Sequence, residues 1–342
     1  MKFPSINRNS PAGSYVPPKA FPIGPFHKYP HNPILVPDPN IDFESGYLYN
    51  AAAIVVDKYV FLLYRAQDKV HRTSTIGLAW SDDGFNFTKL TYPIITPTEK
   101  WELGGGCEDP RIVRHPVLGQ FIVTYTSYDR YVARLCVAVL DDLLHWTKYP
   151  SLVPDSWIEV SNDRNGQPKI RHLWSKLGAI FTERNPVDGK YYMIWGDASL
   201  HLAHSDDCIH WLLPGGDSNS NTFTSGILTH EDYLVESGPP PIKLDNGKNQ
   251  WVFFYNASTA GKGRLPKGTY SVSQMLVDYD IIKLGPVARL EQPFLIPEAS
   301  NEITGQVNKV VFCEGLVQFK DKWLLYFGQG DSHLGVAIAN IK

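Results

Sequence analysis

The sequence predicts an all-β protein, and more specifically a five-bladed β-propeller. A similar strand junction recurs five times along the 342 residues. Short alternating apolar segments are separated by turns rich in Gly, Asp and Asn, which is typical of hairpins. No segment of useful length shows the 3.6-residue period of an amphipathic helix. Because repeats of this size are the sequence signature of propeller blades, we expect one closed ring of five.

Each junction joins a polar or acidic residue, which opens a first strand, to a second strand that ends in an aromatic residue. The five opening residues are Asn50, Asp109, Glu183, Glu236 and Glu314. The aromatic residues are Tyr64, Tyr125, Trp195, Tyr255 and Tyr326, which are 61, 70, 60 and 71 positions apart. This near-regular spacing predicts five units of similar construction.

The first 30 residues contain seven prolines and form a separate arm. Proline fixes φ and lacks an N–H donor, so the arm should be extended, packing along the surface or helping to close the ring. Residues 31–342 are predicted to form one domain. Its blades are expected at 31–94, 95–153, 154–225, 226–292 and 293–342.

Three of the units end in a shared acidic tail. The tails are Ser81–Phe87, Leu140–Trp146 and Ser205–Trp211. Asp side chains in such turns accept hydrogen bonds from nearby backbone N–H groups, so we interpret these residues as structural.

Composition excludes several classes of function. The net charge of -3 gives no reason to expect nucleic acid or an anionic membrane as a partner. The four cysteines lack CxxC spacing, which favours buried thiols in a reducing compartment over a zinc site. His201, His204 and His210 have a ligand-like spacing but fall on a strand and its turn, so no metal is expected.

The start of the chain shows no apolar signal-peptide core. We therefore expect a cytoplasmic protein, or a periplasmic one if a signal peptide has been removed. No phosphate-binding glycine loop opens a helix, so no nucleotide cofactor is expected. The oligomeric state is left open, a homo-oligomer included.

The opening residues should meet at one mouth of the propeller channel, because innermost strands converge there. Four of the five are carboxylates, and crowding like charges costs free energy. The structural alternative is that these carboxylates pair with Arg65, Arg111, Arg184 or Lys243. The functional interpretation is glycosidic bond cleavage, which needs one carboxylic acid and one base or nucleophile.

The segment Gly105–Arg111 resembles the signature of glycoside hydrolase family 130, a family of five-bladed propellers acting on β-mannosides. Leu63–Ala66, Gly238–Lys243 and Gly330-Asp331 also look like family motifs. The resemblance implies that Asp109 contacts the mannose at the cleavage point and supplies the proton in the phosphorylases of the family. It further implies pocket positions for the residues Arg65, Lys243 and Asp331.

The departures from that family pattern favour the hydrolase branch. Phosphorylases of the family gather arginines and a histidine around phosphate, and a dianion does require several such donors. Here those segments are Ser175–Gly178 and Ile194–Asp197, and the expected histidine is Asn256. Glu236 stands where the phosphorylases tend to carry a small residue, and a water-activating site needs such a carboxylate.

Our hypothesis is therefore an inverting exo-β-mannosidase acting on β-1,2-linked mannosides. Glu236 and Glu183 are predicted as the acid/base pair, and Asp109 should bind or help to protonate the terminal mannose. The predicted substrate-binding residues are Asn50, Arg65, Arg111, Lys243, Asp331 and Glu314. The alternatives are a mannoside phosphorylase, a non-catalytic sugar-binding propeller and a furanosidase. A phosphorylase could assemble an anion site from Arg111, Lys176, Lys243 and Arg184.

Overall fold

The structure is a computed structural model that describes residues 2–163, 165–215 and 218–341. Nearly all of its regular structure is β-strand, which confirms the predicted all-β class. The helical segments of the described residues are short: α1 (Ser218–Asn221), α2 (Ser300–Ile303) and 3₁₀ turns at Asp42–Glu44 and Tyr279–Leu284. None of these helices is long and apolar enough to cross a membrane.

The strands fall into five antiparallel units, preceded by β1 (His27–Lys28). Unit 1 contains β2 (Tyr47–Val56), β3 (Tyr59–Gln67), β4 (Ser74–Ser81) and β5 (Thr88–Lys89). Unit 2 contains β6 (Gly106–Arg114), β7 (Phe121–Tyr128), β8 (Ala133–Leu140) and β9 (Thr147–Tyr149). A separate hairpin follows, formed by β10 (Ile158–Asn162) and β11 (Pro168–His172).

The remaining three units follow in chain order. Unit 3 contains β12 (Gly178–Ile180), β13 (Tyr191–Trp195), β14 (Leu200–Ser205), β15 (Trp211–Leu212) and β16 (Thr222–Thr224). Unit 4 contains β17 (Leu234–Ser237), β18 (Ile242–Lys243), β19 (Gln250–Ser258), β20 (Tyr270–Asp278) and β21 (Ala288–Arg289). Unit 5 contains β22 (Val311–Phe319), β23 (Lys322–Gln329) and β24 (His333–Asn340).

The arm supplies the outer strand of unit 5, because β1 pairs antiparallel with β24. Chain start and chain end are thereby joined in one sheet. Farther toward the N-terminus, the side-chain amide of Gln318 in unit 5 hydrogen-bonds to the backbone N–H and carbonyl groups of Val16. The amide of Gln274 in unit 4 does the same with Ile23. The arm therefore contacts units 4 and 5 through buried amide side chains.

Neighbouring units are joined by hydrogen bonds at every step. Unit 1 meets unit 2 at a parallel bridge between Ser74 and Gly106. Units 2 and 3 are joined by a hydrogen bond from Thr124 Oγ1 to Gly178 O, and units 3 and 4 by one from Ser237 Oγ to Ile194 O. Asn256 Nδ2 donates to Cys313 O between units 4 and 5, and Tyr326 OH donates to Gly84 O between units 5 and 1. The last of these returns from unit 5 to unit 1. The pairing among the described strands forms no closed sheet, so the ring of five blades stays a prediction.

A buried glutamate recurs beside every unit. The five are Glu44, Glu102, Glu159, Glu231 and Glu302, each no more than 2% exposed. In units 1, 2 and 4 the glutamate accepts a hydrogen bond from the second-strand tyrosine: Tyr64, Tyr125 and Tyr255. The same glutamates pair with a cation on the fourth strand: Lys89, Lys148 and Arg289.

Unit 5 repeats this arrangement with Lys28 of the arm, whose Nζ lies 2.6 Å from Glu302 Oε2. The arm strand β1 thus occupies the place of a fourth strand in its contacts as well as in its pairing. Removing one partner of a buried ion pair typically costs about 3–5 kcal/mol, because the other charge stays uncompensated. Unit 3 differs, since Glu159 comes from the hairpin and pairs with His201 at 2.9 Å.

The acidic tails are structural, as predicted. Asp83 accepts hydrogen bonds from the backbone N–H groups of Phe85 and Asn86. Asp142 and Asp207 hold their turns in the same way. The four cysteines are buried and unbonded to one another.

Candidate active site

The first strands of the five units converge, and the ends at which they begin form a cluster of charged groups that we name the acidic end. Its members are Asn50, Arg65, Glu108, Asp109, Arg111, Lys176, Asp197, Glu236, Glu314 and Asp331. The pairing register shifts in β2 and β6 next to Asn50 and Asp109. Both residues have left-handed backbone conformations, with φ of 46° and 48°. Asn and Asp tolerate this region better than most residues, which suits them to these bulges.

Asp109 lies at the centre of the acidic end. Its Oδ1 accepts hydrogen bonds from Asn50 Nδ2 and Arg65 NH1, each at 3.0 Å. Its Oδ2 lies 3.4 Å from the Lys176 ammonium. Burial opposes ionisation of this carboxyl group, but the positive charges of Arg65 and Lys176 outweigh it and hold its pKa well below the usual range. Asp109 is therefore an ionised acceptor.

Arg65 binds two carboxylates at once. Its NH2 donates to Glu108 Oε1 at 2.6 Å, and its Nε donates to Ser74 Oγ at 3.0 Å. The guanidinium also lies over the ring of Tyr49, 5.0 Å from the centroid. These contacts hold the guanidinium of Arg65 in one orientation at the acidic end.

Arg111 and Glu314 form a pair that is withdrawn from solvent. Their side chains are 1% and 0% exposed, with NH1 and Oε1 3.0 Å apart. Arg111 also donates to the carbonyl oxygens of Ser237, Gly238 and Asp109. The pair ties units 2, 4 and 5 together. Both of these predicted substrate-binding residues are therefore buried at the acidic end, and Arg111 is held by three carbonyl oxygens. Among the described residues, neither carboxyl oxygen of Glu314 accepts a hydrogen bond, and burial raises the pKa of this carboxyl group well above its ordinary value.

Glu236, like Glu314, has a buried carboxyl oxygen, Oε2, without a hydrogen-bond partner among the described residues. Unlike Glu314, which is fully buried, Glu236 is 8% exposed. Burial raises its pKa to about 8, the negative charges of Asp197 and Asp109 add to that rise, and Lys176 opposes it. Glu236 is thus a neutral carboxylic acid at pH 7 that can give up its proton slightly above neutrality.

Asp331 completes the set of titrating groups. It lies in the turn between β23 and β24 with φ of 51°. Burial raises its pKa to about 6, with Arg65 opposing and Asp109 adding to the rise. Environments that push carboxyl pKa values apart are the arrangement by which active sites separate an acid from a base.

Asp197 holds the hairpin against this cluster. Its two carboxylate oxygens accept from Arg171 NH2 and NH1, both at 3.0 Å, and Trp174 Nε1 donates at 2.8 Å. Arg171 lies over the ring of Trp174, 4.5 Å from the centroid. Asp197 is thereby a positioning residue that joins β11 to the acidic end.

Two predicted site residues, Glu183 and Lys243, lie away from the acidic end. Glu183 and Lys243 form an ion pair with each other and are half-exposed. They line a cavity of about 350 Å³ with Ile112, Val113 and Trp251, beside the opposite ends of the first strands. The expectation that Glu183 and Lys243 share one mouth with Asp109 is therefore wrong. We name this second region the apolar end.

The reason lies in unit 3. Its first strand pairs Gly178 with Trp195, so the residues before Gly178 correspond to the opening positions of the other units. Leu177 has the left-handed φ of 62° seen at Asn50 and Asp109. Lys176, not Glu183, is thus the contribution of unit 3 to the acidic end. Arg184, which the phosphorylase alternative assigns to a phosphate site, is also absent from the acidic end. Its guanidinium donates to the carbonyl oxygens of Gly189 and Asp206.

Sequence reasoning missed the roles of Glu108, Asp197 and Arg171. Glu108 directly precedes Asp109 in the family motif, and this position could have identified it as a site residue. Arg171 could not have been found, because its pairing with Asp197 depends on how the hairpin folds back over unit 3. Asn256 is buried and bonds both backbone groups of Cys313, so it joins units 4 and 5.

Comparison with known proteins identifies the family. A sequence profile of glycoside hydrolase family 130, described as beta-1,4-mannooligosaccharide phosphorylase, matches residues 29–342. A 1,2-beta-oligomannan phosphorylase from Thermoanaerobacter sp. (strain X514) is 29% identical over 321 residues, covering 91% of this chain and 95% of that protein.

Solved structures give the same result. A putative glycosidase from Bacteroides thetaiotaomicron VPI-5482 is 33% identical with a TM-score of 0.79, covering 92% of this chain and 96% of its own. A structure from work on family 130 "glycoside hydrolases that target beta-1,2 mannosidic linkages in Candida mannan" is 33% identical with a TM-score of 0.80, covering 94% and 96%. These matches span almost the whole chain. The protein belongs to glycoside hydrolase family 130.

Proposed function

We propose that this enzyme is an inverting exo-β-mannosidase that hydrolyses β-1,2-linked mannosides at the acidic end. One observation carries the proposal. The cations of the acidic end are already engaged by carboxylates or backbone carbonyl oxygens, while Glu236 is a buried carboxyl group with an oxygen that lacks a partner among the described residues. Family membership and the description of a related structure support the substrate class.

The charge balance argues against phosphate as the attacking group. A phosphate dianion needs several cationic or N–H donors that are not already committed. Among the described residues, Arg65 and Lys176 of the acidic end and the neighbouring Arg171 each pair with a carboxylate. The donors of Arg111 are engaged by the carbonyl oxygens of Asp109, Ser237 and Gly238. Phosphate would therefore have to displace Asp109 or Asp197 from these partners, whereas water requires only a base.

The titration behaviour assigns roles within the cluster. Asp109 is too weak a base for proton transfer, so it accepts hydrogen bonds from the hydroxyl groups of the terminal mannose, with Asn50 and Arg65 beside it. Glu236 exchanges the proton. With Glu183 excluded by its position, Asp331 is the partner whose pKa suits the second role. An inverting reaction places these two carboxyl groups roughly 6.5–9.5 Å apart, with water between them.

The five units are proposed to be the blades of a propeller around the acidic end. The stepwise contacts from unit 1 to unit 5 and back to unit 1 support this arrangement. So does the arm, which completes unit 5 as a fourth strand. In a ring of this kind the first strands of all units meet at one axis, where a sugar can be held.

The alternative is a β-mannoside phosphorylase, and the names of the curated relatives favour it. Incubating the enzyme with β-1,2-mannobiose, with and without inorganic phosphate, separates the two. Hydrolysis predicts mannose as the product in both reactions at equal rates. Mannose 1-phosphate formed only in the presence of phosphate would overturn the proposal, and binding without turnover would indicate a non-catalytic sugar-binding protein.

A further inference from the structure

A polar groove of about 690 Å³ lies between the hairpin β10–β11 and units 3 and 4. Its volume falls within the range of about 300–1,000 Å³ that ligand sites occupy. One wall carries Ser161, Asn162 and Asp163 of the hairpin, and the other carries Lys262 and Lys267 of the loop between β19 and β20. The function proposed above makes no use of this groove.

The groove adjoins the acidic end through two of its lining residues. Ala198 on its floor follows Asp197, and Leu234 lies two positions before Glu236. The turn between β13 and β14 is joined to β17 at this place, since Val235 N donates to Ala198 O at 3.1 Å. A ligand whose reacting bond lies at Glu236 can therefore continue into the groove.

The hairpin wall is firmly anchored at its root. Glu159 pairs with His201 in the interior, where both side chains are at most 3% exposed. Trp157 packs on Trp195 and His201, with ring centroids 5.1 and 5.4 Å apart. Burying an acid and an imidazole together is costly unless they pair with good geometry. The hairpin is therefore a fixed wall of the groove.

The two walls act on each other across the groove. Backbone N–H groups of Gln167 and Asn165 lower the pKa of Asp163, and the charge of Lys267 contributes in the same direction. Among the described residues, neither Lys262 nor Lys267 has a carboxylate within ion-pair distance. The walls thus present hydrogen-bond donors and acceptors that are available to a ligand.

We propose that this groove binds the leaving-group side of an oligomannoside, so that the enzyme prefers chains of three or more mannose units to the disaccharide. The inference rests on the proposed function of the acidic end. Neutral sugars fit the lining because each hydroxyl group can both donate and accept a hydrogen bond. The carboxylate of Asp163 needs a donor, the ammonium of Lys267 needs an acceptor, and the amide of Asn162 can use both.

The test compares kcat/KM for β-1,2-mannobiose and β-1,2-mannotetraose in the wild-type enzyme and in the double variant Asn162→Ala/Lys267→Ala. Lys248→Ala is the matched control, since it removes an exposed lysine in the turn between β18 and β19. We expect the wild-type enzyme to favour the tetraose by about tenfold, equivalent to ~1.4 kcal/mol. The double variant should lose that preference while keeping its activity on mannobiose, and the control should keep both.

The outcomes separate the groove from the proposed function. Equal kcat/KM for both substrates in the wild-type enzyme, or an equal loss on both in the double variant, overturns the groove and leaves the mannosidase standing. If the wild-type enzyme cleaves neither substrate, the proposed function fails. Calorimetric titration with the two oligosaccharides then tests whether the groove binds sugar. Tighter binding of the tetraose by the wild-type enzyme, lost in the double variant, supports the groove as a binding site, and equal affinity for both oligosaccharides overturns it.

Discussion

The two ends of the same five first strands differ in almost every property. At the acidic end, buried carboxylates and cations of units 1, 2, 3 and 5 form ion pairs, and Glu236 of unit 4 is within the electrostatic influence of Asp109 and Lys176. At the apolar end, the strands finish in Ile, Val and Leu side chains around a cavity, and the Glu183–Lys243 pair is half-exposed. A carboxylate changes its chemistry only where burial and neighbouring charges act on it, so the acidic end carries the reactivity.

The largest expected difference between the ends is in catalysis. Glu236→Gln removes the titrating proton but keeps the side-chain volume, so kcat should fall by about 10²–10⁴-fold. Glu183→Gln is the matched control at the apolar end and should retain nearly full kcat. Steady-state assays on β-1,2-mannobiose measure both, with circular dichroism to confirm folding. Equal losses in the two variants would abolish the distinction.

The pH dependence of activity sharpens the same comparison. Glu236 must carry its proton to act as the acid, so kcat/KM should fall above pH about 8. Asp331 must be ionised to act as the base, so kcat/KM should fall below pH about 6. A pH–rate profile of the wild-type enzyme should therefore be bell-shaped, and Glu183→Gln should leave both limbs in place. Asp331→Asn should abolish most activity, and a variant that keeps the acidic limb would exclude Asp331 as the base.

Stability should respond to pH through Glu236. The pKa of its carboxyl group rises from 4.5 to about 8 on folding, so protonation favours the folded state. This contribution is complete below pH about 4.5 and is lost as the pH rises through about 8. Glu236→Gln lacks that titration. Its Tm relative to the wild type should therefore increase by a few degrees between pH 5 and pH 8.5 in calorimetry, while a constant difference would show that the carboxyl group is not protonated in the folded protein.

The smallest effect is expected at the apolar end. Lys243→Ala breaks an ion pair whose side chains are 39% and 50% exposed. Exposed pairs of this kind contribute about 0–1 kcal/mol. Urea denaturation should show a change in the free energy of unfolding of less than ~1 kcal/mol, with unchanged kcat. A large loss of either would show that the apolar end takes part in function.

Much of the fold was predictable because strand alternation and turn chemistry are local. The acidic tails at Asp83, Asp142 and Asp207 follow from turn residues alone. Asp109 and Arg65 were found from motifs, and the structure brings them into contact. Asn50 was found as an opening residue of the repeat and also contacts Asp109.

What failed depends on register and on distant contacts. The sequence favours Glu183 as the opening residue of unit 3, because this residue is acidic and precedes an apolar segment. The pairing of Gly178 with Trp195 shows that the strand begins earlier, which moves Lys176 into that position. The buried glutamates could not be predicted, because their partners lie on other strands. Lys28, the partner of Glu302, is 274 residues away in the sequence.

The central claim is that water attacks the mannoside at the acidic end while Glu236, as the acid, protonates the leaving group. The most direct measurement is the reaction of β-1,2-mannobiose in ¹⁸O-labelled water without phosphate, followed by NMR and mass spectrometry. The account predicts that the wild-type enzyme first releases α-mannose carrying ¹⁸O at C1 and that Glu236→Gln releases almost none. No reaction until phosphate is added, with mannose 1-phosphate as the product, would contradict it.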